Sequence, residues 1–404
     1  MATQPIERAT KGDILSQISG FECFGTRTLC SEEDGIQYFV NEFWTSGQRQ
    51  AHSIHEVSYR ACFKPQLPDF FISRLTEPGE SVHDPFMGRG TTPIQAALRG
   101  RRPLGNDINP LSKLLVRPRL DPPSLADVAA VLDSVPWDQP VEVWRDLEAF
   151  YHPETLRRLT NLRRFLLEHA PLAQEDPNHA VDWIRMIAIN RLTGHSPGFF
   201  SVYTLPPNQA VTTEAQRRIN SNRSQVPDPR DVRAIILKKT KSLLSDGPML
   251  PHPRGALFTG ESVQTGGIKD HEAALVVTSP PFLDIVQYAQ DNWLRCWFAG
   301  IDVDSVEIAM HRTVEAWQQM VHETLREQAR ILRPGGHVAF EVGEVRRGKV
   351  LLEKVVWKAA EGLPFDRLCV MINRQEFTKT ANCWGVGNNQ GGTNTNRIVL
   401  LRRH

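Results

Sequence analysis

Leu275-Val276-Val277-Thr278-Ser279-Pro280-Pro281-Phe282 is the stretch from which the rest of the chain is read. Leu275 to Thr278 has the apolar, β-branched character of a buried strand. Pro280 and Pro281 lock φ and remove two backbone donors, so the strand must stop there. A hydroxyl, an unladdered carbonyl and an aromatic face are therefore held rigidly where the strand ends. In open α/β sheets ligands bind at the carboxyl ends of strands. This corner can accept hydrogen bonds from an amino group while a ring stacks on the flat molecule that carries it. A plain strand ending in a proline turn is the competing reading.

Residues 79–92, Gly-Glu-Ser-Val-His-Asp84-Pro-Phe86-Met-Gly88-Arg-Gly90-Thr91-Thr92, tip the balance. A short strand ends in an acid, a glycine turn follows, and Pro93-Ile-Gln-Ala-Ala-Leu starts a helix with proline in its first turn. Pro103-Leu-Gly-Asn-Asp107 reads as a second strand ending in an acid. Glycines let backbone approach a ligand closely, and the second acid suits ribose hydroxyls. Position 93, where a dinucleotide fingerprint needs its third glycine, is proline. A pyrophosphate is therefore not the expected guest.

Together these segments resemble the amino-methylating DNA methyltransferases, which use S-adenosylmethionine to methylate an exocyclic nitrogen. Asp84-Pro-Phe-x-Gly-x-Gly-Thr-Thr92 is similar to that family's cofactor loop, and Ser279-Pro-Pro-Phe282 to its catalytic tetrapeptide. The Thr-Ser-Pro-Pro-Phe form resembles the cytosine-N4 branch; Asp-Pro-Pro-Tyr is the usual adenine-N6 form. The resemblance covers residues 56–120 and 256–404. It implies a Rossmann-like, mostly parallel α/β sheet of the class I S-adenosylmethionine-dependent type, with an antiparallel C-terminal hairpin. It also implies cofactor contacts from Asp84, Phe86, Gly88, Gly90, Thr91 and Thr92, and from Asp107 at the ribose. Phe63, in Tyr59-Arg-Ala-Cys-Phe63, would pack near the methionine moiety. Glu261, in Gly260-Glu-Ser262, stands where the family has Asp and would lie near the adenine.

On that resemblance the Ser279 hydroxyl oxygen and the Pro280 carbonyl accept the amino hydrogens of a flipped cytosine. Pro281 keeps the corner rigid and Phe282 stacks on the base. Trp384, in Asn-Cys-Trp-Gly on the long loop 378–396, is the candidate for the opposite stacking face, or else a hydrophobic anchor for that loop. The ring-carbon methyltransferases use a Pro-Cys pair, which this sequence lacks. Adenine N6, and an exocyclic amine in RNA, remain alternatives to cytosine N4, because each presents an amino group beside a ring nitrogen.

Proline clusters divide the chain. We expect an N-terminal extension (1–55), a first catalytic part that binds cofactor (56–120), a mainly helical insertion that carries target recognition (121–255) and a second catalytic part (256–404). Leu156, Leu159, Leu162, Phe165 and Leu166 mark one helix of the insertion, and Trp183 to Leu192 another. Arg217, Arg218, Arg223, Lys238 and Lys239 are its candidate DNA contacts, since Lys and Arg position a duplex through its phosphates; a solvated helix face is the ordinary alternative. Asp121-Pro-Pro-Ser124 imitates the catalytic tetrapeptide but has neither an aromatic fourth residue nor an apolar strand before it. Leu332-Arg-Pro-Gly-Gly336 reads as a turn before the strand His337-Val-Ala-Phe-Glu-Val342, and Leu368–Ile372 with Arg397–Leu401 as the closing hairpin.

The 404 residues carry a net charge of +1, so affinity for nucleic acid must come from local patches. There is no secretory pattern at Met1-Ala-Thr-Gln-Pro and no apolar run long enough to cross a bilayer, so no membrane partner and a cytoplasmic location are expected. Six scattered cysteines contain no C-x-x-C pair and read as reduced thiols. The spacing of Cys23, Cys30, His52, His55 and Cys62 fits no common zinc finger, and no metal is expected. Gly343-Glu-Val-Arg-Arg-Gly348-Lys349 opens like a phosphate-binding loop, but Val350 stands where a Mg²⁺-binding Ser or Thr belongs. The expected partner is double-stranded DNA, with a cognate restriction endonuclease as a candidate companion.

Overall fold

The structure, a computed structural model, describes residues 13–23, 25–45, 51–59, 62–172, 178–204, 210–281, 288–306, 311, 313–345, 350–374 and 395–404. Phe282 and Trp384 lie outside them.

A small hairpin, β1 (Glu22–Cys23) with β2 (Thr26–Arg27), follows helix α1 (Asp13–Ser19). Then come β3 (Leu29–Glu33), β4 (Ile36–Asn41), α2 (Gln66–Leu75), β5 (Ser81–Asp84), α3 (Thr91–Leu98), β6 (Arg102–Asp107) and α4 (Pro110–Leu120). Among the described residues five α-helices fill the insertion: α5 (Leu125–Ser134), α6 (Pro153–His169), α7 (His179–Arg191), α8 (Thr213–Asn222) and α9 (Val232–Leu243). The chain returns through β7 (Ala256–Thr259), β8 (Ala273–Thr278), α10 (Tyr288–Ala299), α11 (Val314–Ile331) and β9 (Leu332–Val342). A second small hairpin, β10 (Glu344–Val345) with β11 (Val350–Leu351), precedes α12 (Leu352–Ala359), β12 (Phe365–Arg374) and β13 (Thr395–Arg403).

Among the described residues one sheet holds nine strands in the order β3-β4-β12-β13-β9-β8-β5-β6-β7. Pairing from β9 through β8, β5 and β6 to β7 is parallel, whereas β13 runs antiparallel to both β12 and β9. The expected sheet and its C-terminal hairpin are therefore present. All six residues of β8 are buried, because helices cover both faces of a parallel sheet and leave no polar side to alternate with. On the face covered by α11, Trp317, Val321, Thr324, Leu325 and Gln328 are buried at helical spacing.

Three features differ from, or add to, the sequence expectations. The turn read at 332–336 belongs to β9: Leu332 pairs with Ala273 and His337 with Leu275, so Arg333 to Gly336 bulge out of the ladder. Pro334 has no donor for the ladder and Gly335 takes φ +74°, which a bulge accommodates. Within the stretch expected as an N-terminal extension, β4 pairs parallel with β12, Tyr38 opposite Val370, and so widens the central sheet. The helices of residues 121–255 share one continuous core with the chain on either side of them. Leu159, Trp183 and Ile236 pack in the same cluster as Ile54, Met87, Ile94, Leu111 and Phe298. Arg117 on α4 bonds Asp182 on α7 at 2.7 Å, and the Ser58 amide donates to Asn190 Oδ1 at 2.7 Å.

One sequence decoy resolves into local structure. Ser124 caps α5 in a reciprocal box with Asp127, which accounts for the Asp-Pro-Pro-Ser imitation. Of the phosphate-loop resemblance, residues 346–349 lie outside the described residues, and Glu344 and Val345 before them pair with Leu351 and Val350 as antiparallel strands. Phe200 is fully buried and the Phe199 ring fills the space beside Gly194, so this aromatic pair is core. No described helix is long and apolar enough to cross a membrane.

Candidate active site

Parallel pairing brings the carboxyl ends of β5, β6, β7, β8 and β9 to one edge of the sheet. That edge carries Asp84, Asp107, Gly260, Ser279 and Glu341. The turn after β5 is held by backbone bonds: Met87 N donates to Asn106 O at 2.9 Å and Gly90 N to Met87 O at 2.5 Å. Gly88 takes φ +48° and Gly90 φ +81°, and a Cβ on Gly90 would collide with the Val116 side chain. Only glycine fits there. Thr91 and Thr92 open α3 and are buried.

Asp107 receives two backbone donors, Gly88 N at 2.7 Å on Oδ2 and Asn109 N at 2.8 Å on Oδ1. Asp84 Oδ1 receives Phe86 N at 3.1 Å and the Thr278 hydroxyl at 2.6 Å. Burial nevertheless dominates both acids: it pushes Asp84 up to about 7 and Asp107 up to about 6, against the lowering effect of those hydrogen bonds. Two buried carboxyls raised by desolvation suit a guest that brings positive charge and hydroxyl donors. A glycine turn at closest packing suits a flat guest laid against backbone. The residues therefore fit S-adenosylmethionine.

Phe63 and Phe86 are half-buried, and the Phe63 carbonyl accepts from Arg89 Nη2 at 3.4 Å, which fastens this segment to the turn. Arg89 Nη1 also bonds Val57 O at 3.0 Å. Glu261 is exposed, next to Gly260, whose amide bonds Asp107 O at 3.0 Å. The seven residues from Asp84 to Asp107 expected at the cofactor thus come together, with Phe63 and Glu261 at the borders.

At the other side of the same crevice, Thr92 Oγ1 donates to Val277 O at 3.0 Å. Ser279 hydrogen-bonds the Glu341 carboxylate, which also receives Asn396 Nδ2 at 2.9 Å. Burial pushes the Glu341 carboxyl above its usual range. Pro280 is buried, and the Pro281 carbonyl accepts from Trp317 Nε1 at 2.9 Å. A diproline corner cannot be held by its own amides, so a neighbouring indole does it.

Five residues here escaped the sequence reading: Tyr59, Asn109, Thr278, Trp317 and Glu341. Tyr59 stands over the turn, 3.7 Å from where a Gly88 Cβ would be, and its hydroxyl accepts from Asn109 Nδ2 at 2.7 Å. Glu341 had a visible signal, an acid inside the apolar run His337–Val342. Trp317 had none beyond its place on an amphipathic helix.

The candidate DNA contacts are mostly engaged with the protein itself. Arg217 bonds Asp146 at 2.6 Å, Arg223 lies 3.9 Å over the Tyr203 ring, and Lys239 reaches Glu56 at 3.4 Å. Burial lowers Lys239 to about 8. Arg218 and Lys238 are exposed. Exposed ion pairs are weak enough to exchange for phosphate.

Residues 14–114, which include the glycine turn and both buried acids, match the family model for N6 and N4 enzymes described as DNA methylase. The Type II methyltransferase M.MvaI of Kocuria varians is 28% identical over 304 residues, covering 67% of this chain and 62% of its own. The Type II methyltransferase M.MjaII of Methanocaldococcus jannaschii is 38% identical over 72 residues, 18% of this chain and 13% of its own. The chain thus spans less than two thirds of either relative. TrmN from Thermus thermophilus, a solved structure, aligns over 87% of this chain and 52% of its own at 11% identity and a TM-score of 0.33. Residues 14–114, which carry the glycine turn and both buried acids, are thus similar to the amino-methylating N6/N4 DNA methylases.

Proposed function

We propose that this protein is an S-adenosylmethionine-dependent DNA methyltransferase acting on the exocyclic N4 of cytosine. The reading rests on one contact, the 2.6 Å bond from Thr278 to Asp84, which joins the residue before Ser279 to the acid before the glycine turn. Donor seat and acceptor corner therefore share one crevice. When bound, S-adenosylmethionine supplies an electrophilic methyl group on a sulfonium centre. Asp84, Phe86, the Gly88 and Gly90 backbone, Thr91 and Thr92 would hold it, with Asp107 at the ribose, Phe63 near the methionine part and Glu261 near the adenine.

The N4 lone pair is delocalised into the cytosine ring and is a weak nucleophile. Ser279 Oγ and the Pro280 carbonyl would accept the two amino hydrogens and draw them from the ring plane, localising the pair. The Ser279 proton is directed at Glu341, which leaves the oxygen lone pairs for the base. As nitrogen gains methyl it must lose a proton. Ser279 Oγ would take that proton while passing its own to the Glu341 carboxylate. The base leaves the duplex first, at a cost of a few kcal/mol, and stacks on Phe282, with Trp384 as the opposite face. Arg217, Arg218, Arg223, Lys238 and Lys239 would meet the phosphates of double-stranded DNA, as part of the insertion 121–255. A restriction endonuclease partner and a cytoplasmic location belong to this reading.

Cytosine is favoured over adenine by the Thr-Ser-Pro-Pro-Phe form of the corner. Incubation with unmodified genomic DNA and methyl-labelled cofactor, followed by digestion to nucleosides, tests this directly. The expected product is N4-methylcytosine. N6-methyladenine would move the reading to the adenine branch, label recovered only with RNA would change the substrate, and no labelled nucleoside would overturn it.

A further inference from the structure

We infer that Thr278 is a positioning residue: its hydroxyl locks the catalytic strand to the cofactor turn and sets the reach between methyl donor and target amine. The inference rests on the methyltransferase reading. Its basis is where the β5–β8 ladder ends. Backbone pairing between these strands shifts register after Ser81 and closes with His83 opposite Val276. Asp84 and Thr278 lie beyond that last pair, yet both are buried. What ties the strand ends together there is side-chain chemistry, Thr278 Oγ1 to Asp84 Oδ1 at 2.6 Å and Thr92 Oγ1 to Val277 O at 3.0 Å.

The next residue, Ser279, is held from the opposite side by Glu341 on β9. A continuous chain, Asp84–Thr278–Ser279–Glu341, therefore crosses the ends of three neighbouring strands. It spans 194 residues of sequence at its first link. Displacements of an ångström between reacting groups are costly in rate, and a strand end released from its neighbour is free to make them. Valine at 278 would keep the β-branched shape and the strand preference while deleting the donor. Serine would keep the donor and lose only a methyl.

Besides Thr278, the groups facing Asp84 are the Phe86 amide, the Thr92 hydroxyl from α3, Asp107 from β6, the Cys62 thiol from the segment before α2 and, beyond Cys62, Arg89 in the turn. The Phe86 amide and the Thr92 hydroxyl stay in place in Thr278→Val, and the Thr278 hydroxyl is the largest of the three donors to the carboxylate. Thr278→Val should thus raise the pH at which Asp84 ionises, because the carboxylate loses a donor that favours its charged form.

Three measurements on the full chain test this for wild type, Thr278→Val and Thr278→Ser. S-adenosylmethionine titration should show about a tenfold weaker Kd in Thr278→Val, the scale of one lost hydrogen bond to a charged group. Turnover should fall further, by roughly a hundredfold, with kcat losing more than KM. In the protein without cofactor, the pH dependence of Tm, taken against an Asp84→Asn background, should show the Asp84 titration moved upward in Thr278→Val. Thr278→Ser should restore all three. Wild-type affinity and an unmoved titration in Thr278→Val, or a serine variant as impaired as valine, would overturn the inference. If wild type itself binds no S-adenosylmethionine, the functional reading fails, and the cofactor-free titration still decides whether the lock exists.

Discussion

The glycine turn and the diproline corner face each other across one crevice, yet they are held by opposite means. The turn is a backbone device. Its backbone bonds run from Met87 to Asn106 and from Gly90 to Met87, and the Gly88 amide donates to the nearby Asp107 carboxylate. The corner has surrendered its amides to Pro280 and Pro281 and depends on side chains from afar: Asp84, Glu341 and Trp317. Local backbone geometry makes a seat that any copy of the motif would build. Distant side chains decide how far that seat lies from the reacting corner.

Substitutions on each side should separate the two. Ser279→Ala removes an acceptor from the base and nothing from the turn; we expect turnover to fall by 10²–10³ (an order-of-magnitude figure) with S-adenosylmethionine affinity unchanged, measured by single-turnover labelling and calorimetry. Parallel loss of affinity would mean that the two halves are not separable. Gly90→Ala strikes the turn alone. The positive φ and the collision with Val116 should cost about 3 kcal/mol of stability and abolish cofactor binding, read from denaturant unfolding and titration.

The pH dependence sharpens the same contrast. Asp84 titrates near 7 folded and at 3.8 in its ordinary state, so the folded protein holds the proton more tightly across that window. Its contribution to stability is complete below the lower value and is lost as pH rises toward the upper one. The Tm of wild type relative to Asp84→Asn should therefore decline between pH 4 and 7 and level off above. A rise over that interval would contradict the burial argument. The smallest effect belongs to Trp317→Phe, which deletes the donor to Pro281 O while keeping an aromatic of similar shape. Stability should drop by about 1 kcal/mol and turnover by roughly tenfold, with affinity for the cofactor intact.

Much of this molecule was legible beforehand for a physical reason. Asp84, Gly88, Gly90 and Thr91 act through local conformation, and a left-handed glycine or a helix start leaves its mark in adjacent residues. The two prolines likewise announce a strand end wherever they fall. Helix α6 followed from Leu156, Leu159 and Leu162 at helical spacing.

What stayed hidden acts at long range. Nothing in the residues around Trp317 says that its indole holds Pro281, and Thr278 read as the last residue of a strand until it met Asp84. The N-terminal stretch read as an appendage because nothing in Ile36–Asn41 says that its partner is β12, more than three hundred residues away. The proline clusters mark where the chain leaves the sheet and carry no information on whether the apolar faces of residues 121–255 return to the same core.

By itself the amino-acid sequence determined which turns form, where strands must stop and which acids stand at their ends, since neighbouring residues impose those through sterics and missing donors. Tertiary structure alone decided that Glu341, Trp317 and Thr278 converge on the diproline corner. Such meetings depend on strand order and register, which the packing of the whole sheet sets.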